Sequence, residues 1–242
     1  GVAACLDCRR SDVGCNPWVI TEGIITMRSC HRSNPLFKSV AYGLVAILLG
    51  AILLPAVAMA QVPQAAKKYQ RDLLRNSQAV WGLNAPTALF AAQIHQESRW
   101  NLRAVSPVGA QGLAQVMPAT ASWLSGRYPD LALAQPFNPN WALRALVQYN
   151  RFHYDRINAH QECDRWAFVL SAYNGGLGWV QRDKRLAAQR GLDPLQYWQA
   201  VETINAGRSA ANFAENRGYP QQIIYRWQPL YLADNWGKGV CL

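Results

Sequence analysis

Charged residues are scarce in this chain of 242 residues: only 16% are Asp, Glu, Lys or Arg, and 14 residues are acidic. Half of the residues are apolar, which is enough for one domain with a sizeable core plus an extension. Basic residues outnumber the acids, and the net charge of +10 suits an anionic polymer or surface. No basic run with interleaved aromatic residues occurs, so nucleic acid is not an expected partner.

Strand-like alternation is almost absent, and the sequence has no internal repeat. Helix-start signals are frequent instead: Asn138-Pro139 and Asp193-Pro194 predict helix starts, and Asp164 is interpreted as a cap. The run "WAFVLSAY" at 166–173 is apolar all round, as a central helix would be. The sequence therefore predicts a single compact all-α domain.

The longest apolar run, residues 40–60, follows basic residues and ends on Ala58-Met59-Ala60. This order predicts a signal peptide at 27–60 that is cleaved after Ala60, so that the chain touches the membrane only transiently. A retained membrane anchor formed by 40–60 is the alternative. Residues 1–26 precede the first methionine and are interpreted as a non-native extension.

Cysteines are concentrated in the segment that cleavage would remove. Four of the six lie before residue 31, and only Cys163 and Cys241 lie after residue 60. Export predicts a periplasmic location, and two cysteines in an oxidising compartment predict one disulfide.

A lone acid ends the stretch "AAQIHQESRWN", and no other acid occurs between Glu97 and Asp130. Glu97 shares a helix face with Phe90 and Ile94, near the predicted end of the helix. Burial and the negative end of the helix dipole both raise the pKa of such a carboxyl, which suits a general acid. The alternative is that Glu97 reaches solvent past the last turn. His95 is predicted to point to the other side of the helix, towards solvent.

Metal ligands are not expected. His153, His160 and Cys163 would share one face only on a continuous helix, and the region around Asn158 is predicted to break it. Neither a metal nor any other cofactor is therefore predicted.

Four segments carry a family resemblance, and they follow one another in order between residues 84 and 227. They are Glu97-Ser98, "GAQGLAQVMPATA" from Gly109, "AYNGG" from Ala172 and "ENRGYPQQII" from Glu215. Together they resemble the soluble lytic transglycosylases, enzymes that cleave peptidoglycan and have a goose-type lysozyme-like fold. The chain departs from the usual family pattern at three positions: Ala114, Asn216 and Pro220.

The resemblance implies a lysozyme-like catalytic domain over 84–242, preceded by a short helical segment at 61–83. It implies that Glu97 is the catalytic acid and base, and that Tyr173 contacts or orients it. The residues that it implies for substrate binding are Ser98, Ser106, Gln115, Met117, Tyr173, Asn174, Glu215 and Tyr219.

Structural roles remain open for several of these residues. Ser98 could cap local backbone, Tyr173 and Asn174 could form a helix C-cap, and Glu215 could pair with Arg217.

The resemblance also implies the reaction. The substrate's 2-acetamido oxygen would act as nucleophile, and Glu97 would then activate the 6-hydroxyl of N-acetylmuramic acid (MurNAc) to close a 1,6-anhydro ring. Peptidoglycan glycan strands are the expected partner, and a conjugation or secretion apparatus is the favoured setting. The alternatives are a hydrolytic muramidase of the same fold and a non-catalytic glycan-binding component of an envelope machine.

Overall fold

A computed structural model describes residues 61–242 of the chain. The predicted signal segment, its cleavage site and the extension at 1–26 lie outside the described residues. The α-helices of the described part are α1 Gln64–Lys67, α2 Gln70–Trp81, α3 Thr87–Ser98, α4 Pro118–Arg127, α5 Pro139–Tyr154, α6 Glu162–Gly175, α7 Leu177–Gln189, α8 Ala210–Gln221 and α9 Gln228–Ala233. A π-helical turn, Gln222–Trp227, joins α8 to α9, and short 3-10 turns lie at Pro129–Leu131 and Val201–Thr203.

Extended structure is limited to isolated bridges in the part of the chain that the structure describes, at Val105, Gln111 and Val116. The all-α prediction is therefore confirmed for residues 61–242. None of the helices in this range has the length and apolar character needed to cross a bilayer.

Helix α6 forms the centre of the core, as its uniformly apolar sequence predicts. Its residues 166–172 are all buried, and it packs against α5, α7 and α8. Helix α2, from the segment predicted as a short N-terminal helical piece, packs against α5. The predicted helical segment is thus part of the same packed unit as the motifs.

The three expected helix-start signals have different outcomes. Asn138 caps α5 as predicted, because its side chain accepts a hydrogen bond from the Trp141 amide at 3.2 Å. The prediction for Asp164 is wrong: it lies inside α6, and its Oδ1 accepts from the Tyr197 amide at 2.8 Å. The start predicted at Asp193-Pro194 is also wrong, because Asp193 Oδ1 accepts from the Leu195 amide and closes a turn.

Two connections hold the second half of the molecule together. A disulfide joins Cys163, near the start of α6, to Cys241 in the C-terminal segment. In addition, Asp183 of α7 is fully buried and pairs with Arg208 and with Arg217 of α8. The second pair, at 2.8 Å, fixes α8 beside the core.

Candidate active site

Helix α3 carries the lone acid in its last turn. The helix starts after Pro86, and its residues 87–95 are buried, so its first two turns lie within the core. It ends because Arg99 and Trp100 adopt left-handed backbone angles, with φ of 50° and 66°. The buried Trp100 indole donates to the Tyr231 hydroxyl at 2.6 Å and fixes this end of the helix.

Glu97 is half-buried, and within residues 61–242 its one side-chain hydrogen bond comes from α8. The Tyr219 hydroxyl donates to Glu97 Oε1. Burial raises the pKa of Glu97 to about 8, the nearby Glu215 carboxylate adds to this rise, and the hydrogen bond from Tyr219 opposes it. At neutral pH Glu97 therefore holds a proton, as a general acid must.

The acid opens into a cleft of about 380 Å³. Seven residues predicted from the sequence lie on its wall: Glu97, Ser106, Gln115, Met117, Tyr173, Asn174 and Glu215. They come from α3, from the loop before α4, from the end of α6 and from α8. The structure thus brings all four sequence motifs to one concave site.

The loop before α4 depends on backbone geometry that its sequence permits. Gly112 has a φ of 73°, and a Cβ there would lie 1.9 Å from the carbonyl oxygen of Pro136, so no larger residue fits. Gln115 also has a positive φ of 46°, and its Nε2 donates to the Gly112 carbonyl at 3.0 Å. Ser106 Oγ accepts from the Ala110 amide at 2.9 Å. These two side chains shape the loop as well as line the cleft.

Tyr173 connects this loop to the core. Its hydroxyl donates to the backbone carbonyl of Ala114 at 2.8 Å. Its contact with the loop therefore needs only the backbone of residue 114, so the alanine at this unusual position does not disturb it. Burial raises the pKa of Tyr173 well above its ordinary value, and the Glu97 carboxyl adds to the rise, so the phenol keeps its proton.

Asn174 and Glu215 form the opposite edge of the cleft. Asn174 Nδ2 donates to Glu215 Oε1 at 3.2 Å, and Asn174 Oδ1 accepts from the buried Asn216 at 2.9 Å. Arg217, the alternative partner for Glu215, instead donates to Asp183. The unusual Asn216 thus supports the side chain that holds Glu215.

Two predicted substrate-binding residues stand apart from the cleft wall. Ser98 Oγ donates to the Ile94 carbonyl at 3.4 Å, a contact within α3. Tyr219 is 5% exposed and contacts Glu97 from the core side. The structure therefore places Tyr219 against the acid rather than along the wall.

The prediction that His95 faces solvent is wrong. His95 is 7% exposed, stacks on Trp227 with ring centroids 4.2 Å apart, and has its Nδ1 2.9 Å from the Tyr231 hydroxyl. Helix α9 and the π turn cover this side of α3. The periodicity of one helix cannot reveal that a distant segment packs on its second face.

Sequence reasoning missed part of the cleft wall. Tyr149 of α5, Thr120 of α4 and Val108 of the loop all line the cleft, and none of them was predicted as a site residue. Thr120 lies within the "GAQGLAQVMPATA" segment, and a hydroxyl on the apolar stripe of α5 was the available sign for Tyr149. Over residues 61–242, no group of three or more His, Cys, Asp or Glu residues is placed to hold a metal ion.

The sequence is similar to those of known proteins. The family model described as the transglycosylase SLT domain matches residues 76–196. The membrane-bound lytic murein transglycosylase F of Vibrio cholerae is 28% identical over 163 residues, which cover 60% of this chain and 29% of that protein. The soluble lytic murein transglycosylase of Escherichia coli is 28% identical over 170 residues, which cover 65% of this chain and 24% of that protein.

A solved structure of the 70-kDa soluble lytic transglycosylase, in complex with bulgecin A, is also similar. It aligns with a TM-score of 0.52 and 26% identity, covering 69% of this chain and 25% of that one. The helical fold and the acid-bearing cleft are those of a lysozyme-like domain. The chain belongs to the transglycosylase SLT domain family. It spans about a fifth to two fifths of the length of the curated relatives it matches.

Proposed function

We propose that this protein is a peptidoglycan lytic transglycosylase. It cleaves the β-1,4 bond between MurNAc and N-acetylglucosamine and leaves 1,6-anhydroMurNAc ends. One observation carries the proposal: Glu97 is an acid with a pKa raised to about 8, in a cleft whose walls are built from the four family motifs. The names of the relatives support the same activity.

A single acid can perform both halves of this reaction. Protonated Glu97 gives its proton to the glycosidic oxygen while the 2-acetamido oxygen of MurNAc forms a bond to the anomeric carbon. The bond between the anomeric carbon and the glycosidic oxygen breaks, and N-acetylglucosamine leaves with that oxygen as a hydroxyl. The ionised Glu97 then takes the proton of the 6-hydroxyl. The 6-oxygen displaces the acetamido oxygen from the anomeric carbon and closes the anhydro ring, and Glu97 is protonated again.

A hydrolytic muramidase is the second candidate, and the position of Glu215 favours it. Most glycoside hydrolases use two carboxylates, and Glu215 is the other carboxylate on the wall of the cleft in the described part of the chain. It is exposed to solvent and accepts a hydrogen bond from Asn174. In this second reaction Glu215 would act on water or on the sugar directly.

The products distinguish the two reactions. Purified peptidoglycan is digested, treated with borohydride and analysed by mass spectrometry. A lytic transglycosylase gives muropeptides that are one water lighter than lysozyme products and that borohydride leaves unchanged, because an anhydro end is not reducible. Predominantly reducible ends would overturn the proposal in favour of the muramidase.

A Glu215→Gln variant sharpens the same experiment. If Glu97 is the only catalytic acid, this variant still forms anhydro ends, and its loss of rate remains well below that of a Glu97→Gln variant. If Glu215 is a second catalytic carboxylate, its replacement abolishes turnover as completely as replacement of Glu97 does.

We further propose that the protein acts in the periplasm, after export and cleavage following Ala60, and serves a conjugation or secretion apparatus. The disulfide between Cys163 and Cys241 supports an oxidising compartment. The net positive charge suits an anionic envelope polymer. The intact mass of protein recovered from the periplasm tests the cleavage, and a full-length mass in the membrane fraction would favour the anchor at 40–60.

A further inference from the structure

Two amide side chains lie in the apolar core behind the acid. Gln93 of α3 and Asn150 of α5 are both 0% exposed. Asn150 Nδ2 donates to the Leu146 carbonyl at 3.0 Å and to Gln93 Oε1 at 2.7 Å. Gln93 Nε2 donates to the Tyr219 hydroxyl at 3.1 Å, and Tyr219 donates to Glu97. A continuous chain of hydrogen bonds thus joins α5, α3 and α8 to the acid.

The direction of this chain is set at its far end. The Leu146 carbonyl is a backbone acceptor, so the Asn150 amide must turn its Nδ2 towards it. The same nitrogen then donates to Gln93, which leaves Gln93 Nε2 to face Tyr219. Since the Tyr219 hydroxyl accepts from this donor, its single proton is directed to Glu97 Oε1.

Packing alone does not account for these amides. Within residues 61–242, Asn150 Oδ1 is buried and has no hydrogen-bond partner, which costs stability relative to an apolar side chain of the same size. Leucine or methionine would fill the space without this cost. A polar chain that costs stability and ends on the catalytic acid points to a role in function.

We propose that Gln93 and Asn150 are positioning residues that fix the Tyr219 hydroxyl as a donor to Glu97 Oε1, so that Oε2 carries the proton for the glycosidic oxygen. This inference rests on the proposed role of Glu97 as the acid. It adds two core residues, outside the cleft wall, to the groups that control proton transfer.

The other titratable groups around Glu97 come from three helices. Glu215 and Tyr219 belong to α8, Tyr173 to α6 and Tyr149 to α5. Glu215 raises the pKa of Glu97, whereas the bond from Tyr219 lowers it. Because hydrogen bonds in a chain strengthen one another, loss of the Gln93 donor weakens the bond from Tyr219 and raises the pKa of Glu97 further.

The test compares two identical substitutions. Gln93→Met removes the donor to Tyr219, and Gln228→Met removes another buried glutamine, whose amide bonds the Val240 backbone in both directions. Carboxyl carbon NMR titration, with Glu97→Gln used for assignment, measures the pKa of Glu97 without substrate. We expect a rise of roughly half a unit to one unit for Gln93→Met and none for Gln228→Met.

A double variant distinguishes an effect that acts through Tyr219 from an effect of altered core packing. If Gln93 acts through Tyr219, Gln93→Met has no further effect on the pKa of Glu97 in a Tyr219→Phe background. The high-pH limb of kcat/KM should move upward in the single variant in step with the titration. An unchanged pKa in Gln93→Met, an equal shift in Gln228→Met, or additive shifts in the double variant would overturn the proposal.

Two further points keep the result decisive. If Gln93→Met does not fold, Asn150→Leu removes the group that orients Gln93, and a smaller upward shift is expected; no shift counts against the proposal. Because the titration needs no substrate, the hydrogen-bond chain and the lyase activity can fail separately. A shifted pKa of Glu97 in a protein that yields reducible ends would support the hydrogen-bond chain and reject the lyase activity.

Discussion

Glu97 and Asp183 are two acids held in the same helical domain by partners of different charge. Asp183 is fully buried and receives two arginines, Arg208 and Arg217, together with the Ala206 amide. Glu97 receives one neutral phenol, and its pKa rises to about 8. Burial therefore does not decide what an acid does. Two guanidinium groups pair with Asp183 and give it a structural role, whereas Glu97 has a neutral donor and keeps its proton at neutral pH.

The largest effect is expected when Glu97 is replaced by a residue that cannot transfer a proton. Glu97→Gln keeps the size of the side chain and its acceptor for Tyr219, so the fold should be retained. Turnover of purified peptidoglycan should fall about a thousandfold or more, since one group acts as both acid and base. Circular dichroism provides the folding control. Substantial lysis by the folded variant would remove Glu97 from the chemistry, and an inactive wild-type protein would favour a binding role.

Asp183→Asn tests the other acid and should act on stability. It leaves the buried charges of Arg208 and Arg217 uncompensated, and the free energy of unfolding should fall by about 3–4 kcal/mol in urea denaturation. The matched control is Asp155→Asn, which breaks an exposed pair with Arg151 and should change little. If both variants are equally stable, the buried cluster does not anchor α8.

The smallest effect is a dependence of the stability difference at Glu97 on pH. Glu97 has a pKa raised from 4.5 to about 8, so the unfolded state loses its proton first. Its contribution to stability is complete below pH 4.5 and is lost as the pH rises towards about 8. Glu97→Gln should therefore gain stability relative to wild type as the pH rises from 4.5 towards 8, and the two proteins should differ little at pH 4. A difference that does not vary with pH would contradict the raised pKa.

The sequence was sufficient to place Glu97 near the end of an apolar helix, because apolar residues recur at helical spacing before it and the pattern stops just after it. It could not reveal the partner of Glu97, since Tyr219 lies 122 residues further along the chain. It also could not assign the bonds of Asp164 and Asp193. An aspartate at a helix start and one in a turn both accept from nearby amides, and the acceptor geometry depends on the packed loop.

The position of His95 was missed for a related reason. The sequence of α3 predicts that the face carrying His95 meets solvent, but α9 and the π turn cover that face. The short motifs were more informative, because each places a chemically distinctive residue at a helix end or in a glycine loop. Cleft residues outside these motifs, such as Tyr149, could be identified only from the structure.

The π turn between α8 and α9 determines how the side chains before it and after it are rotated relative to one another about the helix axis. Tyr219 and Tyr231 both meet α3, at Glu97 and His95, although twelve residues separate them. Twelve residues of uninterrupted α-helix would leave their side chains about 120° apart, but a π turn takes up one extra residue and reduces the offset to about 20°. Pro220, which has no amide proton, lies just before this turn. The number of residues in this turn, as much as their identity, therefore determines whether α8 and α9 can both contact α3, one at Glu97 and the other at His95.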